Sequence, residues 1–316
     1  MKKMDNVLNI LTAMTYRGIG NAWISKNLRT EQTLEYIVGL LNMKGLDITE
    51  YSFKEKKEDI RNMLNSLYIE CEEFRVTTIG DDDFPEFRGN IKKNAEQPVV
   101  LFYKGSLELL QQNNKNIAVI GLLTPTKEID QRERHIVKSL VKQGITIVSG
   151  LANGCDSIAH DECLKNNGNT IAILPSPLNQ VLPKSNLPLA REILNNGGLL
   201  VTEYCTDISS KFELSKRYID RDRLQALYSD CVLLTASYKE NDEGLDSGSR
   251  HAMGKAKDYG VARAVMYDET MDIGNNMFDL NRQIFKDNGV IIVKEDIEKL
   301  LDKVYNNTIS QQSILF

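Results

Sequence analysis

At 316 residues with 41% hydrophobic content, the chain is long enough for about two domains and apolar enough to bury a sizeable core. Its formal net charge of −5 counts against a protein that coats nucleic acid through its overall field, while leaving room for a local basic groove. No apolar run is long enough to span a bilayer and no apolar leader opens the chain, so no membrane contact and a cytoplasmic location are expected.

From Leu8 to about Glu70 the apolar residues recur at helical spacing with no strand-like alternation: Leu8, Leu11 and Met14, then Leu34, Ile37, Val38 and Leu41, then Ile60, Met63, Leu64 and Leu67. A small all-α domain over 1–75 is the reading. Within it, Arg17-Gly18-Ile19-Gly20-Asn21 fits either the glycine hairpin of a helix-hairpin-helix or SAM-like unit or a plain turn between helices. Asp81-Asp82-Asp83 reads as a solvated turn near the boundary, since no second set of ligands at calcium-loop spacing accompanies it. Val99 to Tyr103 reads as a strand.

From Ile117 onward, strands and helices alternate. The strands are expected at Ile117–Ile120, Thr146–Ser149, Thr170–Leu174, Leu199–Thr202, Cys231–Thr235, Arg263–Met266 and Val290–Val293. Near-continuous apolar runs of this length suit strands buried on both faces, which predicts an α/β, doubly wound, mostly parallel sheet over 76–294. A helix over Lys127 to Gln143 makes the first crossover, with Gly144 just past its end. Residues 295–316 begin as a helical tail.

Five cysteines without a C-x-x-C pair argue against a disulfide framework or a zinc site, and no metal or cofactor is expected. His135, His160 and His251 read as packing or surface histidines.

In such a sheet, ligands sit at the carboxyl ends of the strands. Three loops qualify: the one after Ile120 at Gly121, the turn Gly150-Leu151-Ala152-Asn153-Gly154-Cys155-Asp156-Ser157, and the segment Asp242 to Arg250. In the second, Gly150 and Gly154 allow close backbone approach, while Asp156 and Ser157 offer N-cap chemistry at a helix whose N–H groups suit an anion. The glycines equally suit a simple strand-to-helix turn. In the third, Ser247, Gly248 and Ser249 can present hydroxyls and N–H groups to phosphate, with Arg250 adding charge. Between them, Lys216 to Arg223 carries four cations, Arg217, Arg221 and Arg223 among them, which read as either a groove or a solvated helix face paired to its own aspartates. Neither G-x-G-x-x-G nor a P-loop occurs.

Taken in order, Ile117 to Gly121, Ser149 to His160, Gly198 to Tyr204, Arg221-Asp222-Arg223 and Ser247-Gly248-Ser249, with the lead-in Phe84-Pro85 and Leu101 to Gly105, resemble the DprA/Smf family of DNA-processing proteins. The resemblance covers roughly residues 78 to 293. It implies an extended Rossmann domain that binds single-stranded DNA without cutting it, forms a homodimer and helps load a RecA-type recombinase in DNA uptake or recombination. It also implies that the winged-helix domain of many members is missing here.

The departures cost charge. Leu122-Leu123 stand where the family has a serine or threonine and then an arginine, Asn153 replaces another arginine, and Asp222 replaces the asparagine of Arg-Asn-Arg. About three units of positive charge leave the groove, each worth close to one unit of log–log salt slope. Met266-Tyr267 also replaces the customary Pro-Gly.

Two other functions are open. The apolar Leu122-Leu123 could accept a base or ribose, making the pocket a sensor of a small nucleotide. Asp156, Glu203 and Asp246 could act as carboxylates of a LOG-type phosphoribohydrolase or a nuclease, although the P-G-G-x-G-T-x-x-E run of those hydrolases is absent. Tyr218 and Tyr238 are the candidate stacking residues of a DNA-binding site.

Overall fold

The computed structural model describes residues 2–71, 74–240 and 248–306. Helices α1 (Lys2–Met14), α2 (Asn21–Asn27), α3 (Leu34–Asn42) and α4 (Glu50–Cys71) form the N-terminal region. The sheet then follows as β1 (Arg75–Thr78), β2 (Val100–Gly105), β3 (Asn116–Ile120), β4 (Thr146–Ser149), β5 (Thr170–Ile173), β6 (Leu199–Thr202), β7 (Cys231–Leu234), β8 (Ala262–Met266) and β9 (Ile291–Val293). Interleaved helices are α5 (Lys127–Lys142), α6 (Cys155–Lys165), α7 (Leu187–Asn195), α8 (Lys211–Leu227), α9 (Ser249–Tyr259), α10 (Asp279–Ile284) and α11 (Glu298–Leu301).

Among the described residues the strands make one sheet in the order β1-β2-β6-β5-β4-β3-β7-β8-β9. From β6 to β9 all neighbours are parallel, whereas β1 and β2 add an antiparallel edge. The expected strands are present to within one residue at either end, with β2 running two residues further at its C-terminus. The short, mostly polar β1, Arg75-Val76-Thr77-Thr78, has too little apolar content to stand out in the sequence. Strand order reverses between β3 and β7, so the sheet opens its switch-point crevice at their carboxyl ends.

Two apolar clusters sandwich the sheet. One joins Ile117, Val119, Ile136, Leu140, Leu233 and Ala256. The other joins Leu8, Ile24, Leu41 and Phe53 of the helical region to Phe102, Ala172 and Leu200 of the sheet. The helical region therefore shares its core with one face of the sheet, and burying both faces explains the continuous apolar strands.

Local chemistry sets the helix ends. Thr126 caps α5 by accepting from the Ile129 N–H at 3.3 Å, and Gly144 stops it at φ +73°. The buried face of α5 reads Ile129, Glu133, Ile136, Val137 and Leu140. Glu133 is thus a carboxyl placed inside an apolar row. Burial pushes its pKa well above the usual carboxylate range, with the Cys155 thiol opposing and Asp156 adding to the rise.

The acidic turn is more structural than the solvated reading supposed. Asp81 accepts from the Thr78 N–H at 2.7 Å and Asp83 from the Thr77 hydroxyl at 2.7 Å. His160 is a packing residue: its Nδ1 lies 2.7 Å from the Thr170 hydroxyl, and burial lowers its pKa to about 3. All five cysteines are free thiols. Among the described residues no helix is long and apolar enough to cross a membrane, and no cluster of His, Cys, Asp or Glu could hold a metal.

Candidate functional site

The crevice at the switch point is lined by Ile120, Gly121, Leu123, Ala152, Asp156, Arg221, Asp222, Gln225, Ser249 and Ala252. Three glycines let its walls close up. A Cβ on Gly121 would meet Thr235 Oγ1 at 2.2 Å and Cys155 Sγ at 2.7 Å. One on Gly154, itself at φ +75°, would meet the Leu122 carbonyl at 2.2 Å. One on Gly150 would meet Arg221 Nη1 at 1.3 Å, so the guanidinium of Arg221 lies directly on the Gly150 backbone.

The capping chemistry differs from the expectation. Gly154 itself occupies the N-cap of α6 without a side-chain cap, and the Cys155 N–H donates to the Leu122 carbonyl at 2.9 Å. Asp156 turns back instead, its carboxylate accepting from the N–H groups of Gly150 at 3.1 Å and Ala152 at 3.3 Å. The Ser157 hydroxyl donates to the Gly154 carbonyl at 2.8 Å rather than capping an N–H. The amides expected to cradle a phosphate already hold the protein's own carboxylate. Leu151, just inside this turn, is held at φ +58°, a left-handed conformation costing about 1–2 kcal/mol for a residue with a Cβ.

Arg221 sits between two acids. Its Nη1 is 3.5 Å from Asp156, its Nε is 3.5 Å from Asp222, and its guanidinium lies 5.6 Å from the Tyr218 ring centre. With the Gln225 amide turned to its better orientation, the amide oxygen accepts from Arg221 Nη1 at 2.9 Å and from the Gly150 N–H at 3.0 Å. Burial raises the Asp156 pKa against the pull of Arg221 and two backbone N–H groups. Burial also pushes Asp222 up to about 7, with Arg221 opposing and Asp156 adding to the rise. Backbone amides help to hold the charge on Asp156, whereas Asp222 relies on Arg221, which makes Asp222 the softer of the two acids. On the far wall, Gly248 takes a left-handed φ of +77° at the N-cap of α9, and the Ser249 hydroxyl donates to the Gly121 carbonyl at 3.3 Å.

The structure thus brings Gly121, Gly150, Gly154, Asp156, Arg221 and Ser249 together, with Gly248 at the rim. Asn153 is exposed and accepts from the Ser185 hydroxyl at 3.2 Å, outside the cleft lining. Arg250 pairs with Glu240 at 3.2 Å. Ser247, with the rest of the segment 241–247 that includes Asp246, lies outside the described residues.

Arg217 and Arg223 are not part of the cleft. Arg217 is buried, donates to Glu213, the Thr206 carbonyl and the Thr206 hydroxyl, and stacks 4.3 Å from the Tyr204 ring centre. Arg223 donates from Nη2 to both carboxylate oxygens of Glu203 at 2.8 and 2.7 Å, beside a separate hollow that includes Tyr204 and Asp220. Both fasten the segment after β6 to α8. Tyr238 packs against the core, which leaves Tyr218 as the aromatic near the cleft. Leu122 is buried in the core and Leu123 lines the crevice, so only the second of the pair presents the expected apolar wall. Glu203 is committed to Arg223 and Asp156 to backbone amides, an arrangement that leaves neither free for acid–base work.

Sequence reasoning missed Gln225, one turn beyond Asp222 on α8. Its signal was the spacing Arg221, Asp222, Gln225, which places all three toward one side of the helix. The free volume of the crevice is about 30 Å³. That is well below the roughly 300 Å³ from which sites for small ligands run.

The chain resembles several known proteins. A family model described as DNA recombination-mediator protein A matches residues 75–301. Protein Smf of Synechocystis sp. is 36% identical over 159 residues, covering 50% of this chain and 38% of that protein. DNA processing protein DprA of Streptococcus pneumoniae is 34% identical over 138 residues, covering 44% of this chain and 46% of that protein. The chain spans about half the length of the curated relatives it matches. The crystal structure of the Streptococcus pneumoniae protein covers 93% of each chain at a TM-score of 0.65 and 25% identity. DNA processing protein A of Helicobacter pylori, whose structure is described for its single-stranded DNA binding mode, covers 76% of this chain and 98% of its own at a TM-score of 0.57 and 25% identity.

Proposed function

The chain belongs to the DNA recombination-mediator protein A family, and on that premise we propose that it binds the backbone of single-stranded DNA across the switch-point crevice and does not cut it. The observation that carries this is Arg221, laid on Gly150 between the N-termini of α6 and α9, with the ring of Tyr218 beside it. A guanidinium beside the N-terminus of α9 can take an anion in place of one of its own acids, and an adjacent aromatic offers a stacking face for a base.

Two acids hold that arginine in the unliganded protein. A phosphate arriving at Arg221 replaces Asp222 as its partner, since Asp156 is anchored by the amides of Gly150 and Ala152 while Asp222 is the acid more easily protonated. Binding is therefore an exchange of anions. Its affinity is set by how readily Asp222 gives way.

The relatives support the ligand: the Helicobacter pylori protein is described by its single-stranded DNA binding, and the family by recombination mediation. Assistance to a RecA-type recombinase and action as a homodimer complete the proposal. The test is fluorescence anisotropy of a labelled oligo-dT at low salt, with a duplex of equal length as competitor. Retention of the single strand and weak competition by the duplex are expected. No binding to oligo-dT at the lowest salt would end the proposal.

A further inference from the structure

We infer that single-stranded DNA does not stop at the crevice but continues along the outer face of α8, with Phe212 stacking a base and Lys211 and Lys216 meeting backbone phosphates. This rests on the reading that the crevice binds single strands. The cations that the sequence first suggests for such a role, Arg217 and Arg223, are buried and spent on Glu213, Thr206 and Glu203. Those of the outer face are not. Lys211 and Lys216 are exposed and pair with no described acid.

Helical geometry ties this face to the crevice. Lys211, Ser215, Tyr218, Asp222 and Gln225 step by four, three, four and three residues, so they run in one row along α8. The last two members of that row line the crevice. The neighbouring row, Phe212, Lys216 and Ile219, is also exposed. From Phe212 to Asp222 is about 15 Å along the axis at 1.5 Å per residue, room for a few nucleotides.

Phe212 is the telling residue. It is 83% exposed, joins neither apolar cluster and makes no ring contact among the described residues. Ser210 already caps α8 by accepting from the Glu213 N–H, so Phe212 does nothing for the helix start either. An aromatic with no work in the fold, set between two lysines without acid partners and aligned with an arginine cleft, matches the alternation of stacking faces and cations by which proteins hold single strands without reading sequence. The charge balance points the same way. Inside the crevice the cation Arg221 faces two acids, so most of the net positive charge that a strand could meet on α8 lies outside it.

The test uses the full chain, labelled oligo-dT and a salt series, with Phe212→Ala, the double variant Lys211→Ala/Lys216→Ala, and Gly150→Ala in the crevice. Thermal unfolding of the α8 variants should match wild type, since these side chains pack on nothing. Phe212→Ala is expected to weaken binding about 5- to 150-fold. The double lysine variant should flatten the log–log salt slope by about 1.4 units. If wild type binds and Gly150→Ala weakens it while both α8 variants bind as wild type, the track along α8 is wrong and the crevice stands. If wild type fails to bind at the lowest salt, the crevice reading falls and takes the track with it.

Discussion

Replacing Asp222 with asparagine should convert a pH-dependent DNA site into a pH-independent one. Asp222 is buried 3.5 Å from Arg221, and its carboxyl titrates at about 7. If the crevice accepts a phosphate only when Asp222 is protonated and releases Arg221, the competent fraction is about 0.9 at pH 6 and about 0.1 at pH 8, and the apparent Kd rises up to about tenfold between them. The substituted amide keeps the shape and loses the charge, so the D222N variant should bind at pH 8 about as tightly as wild type does at pH 6. Stability follows the same sign. The folded pKa is raised above the ordinary value near 3.9, so the stability Asp222 supplies is full below about pH 4 and is lost as pH rises through about 7. The variant should therefore gain on wild type in urea above neutrality, by at most about 4 kcal/mol. Anisotropy with oligo-dT at pH 6, 7 and 8 for both proteins is the assay. An unchanged pH profile in D222N would refute the anion-exchange account.

Three further outcomes follow from the packing. Gly150→Ala sets a methyl where Arg221 Nη1 now lies, and pushing that buried guanidinium off Asp156, Asp222 and Gln225 should lower both stability and oligo-dT affinity; a folded variant of unchanged affinity would contradict this. Gly154→Ala meets the Leu122 carbonyl and a left-handed φ together, so chemical denaturation should show a loss of about 2 kcal/mol or more. Arg223→Ala leaves Glu203 without its partner in a mostly buried site and should cost about 3–5 kcal/mol without altering the salt slope of DNA binding; a changed slope would return Arg223 to the interface.

The parallel sheet and the first crossover helix were legible because strands buried on both faces must be apolar throughout and α5 carries its apolar row at helical spacing, whereas the strand order that sets the switch point was not. The site was legible in place and less so in detail. Arg221 and Arg223 are two apart on one helix and so point to different sides, which the spacing alone could have told, yet which side meets the crevice depends on Glu203 and Asp156, distant in sequence. Asp156 looked like an N-cap because it opens α6, but the close approach of Gly154 to the Leu122 carbonyl already satisfies the first helical N–H and frees the carboxylate to bind Gly150 and Ala152. Glu133 lies four residues after Ile129 in an apolar row, so its burial follows from the helical spacing although its charge argues against it. The antiparallel edge strand β1 was lost to its polar composition.

The central claim is that a single-stranded DNA backbone binds at Arg221 in the switch-point crevice. The salt dependence of oligo-dT binding, compared between wild type and Arg221→Ala after circular dichroism has confirmed both folds, tests it most directly. The account predicts a linear fall of log affinity with log salt in wild type, and in Arg221→Ala a weaker affinity with a slope shallower by about 0.7. Equal affinity and equal slope in the two proteins would contradict it.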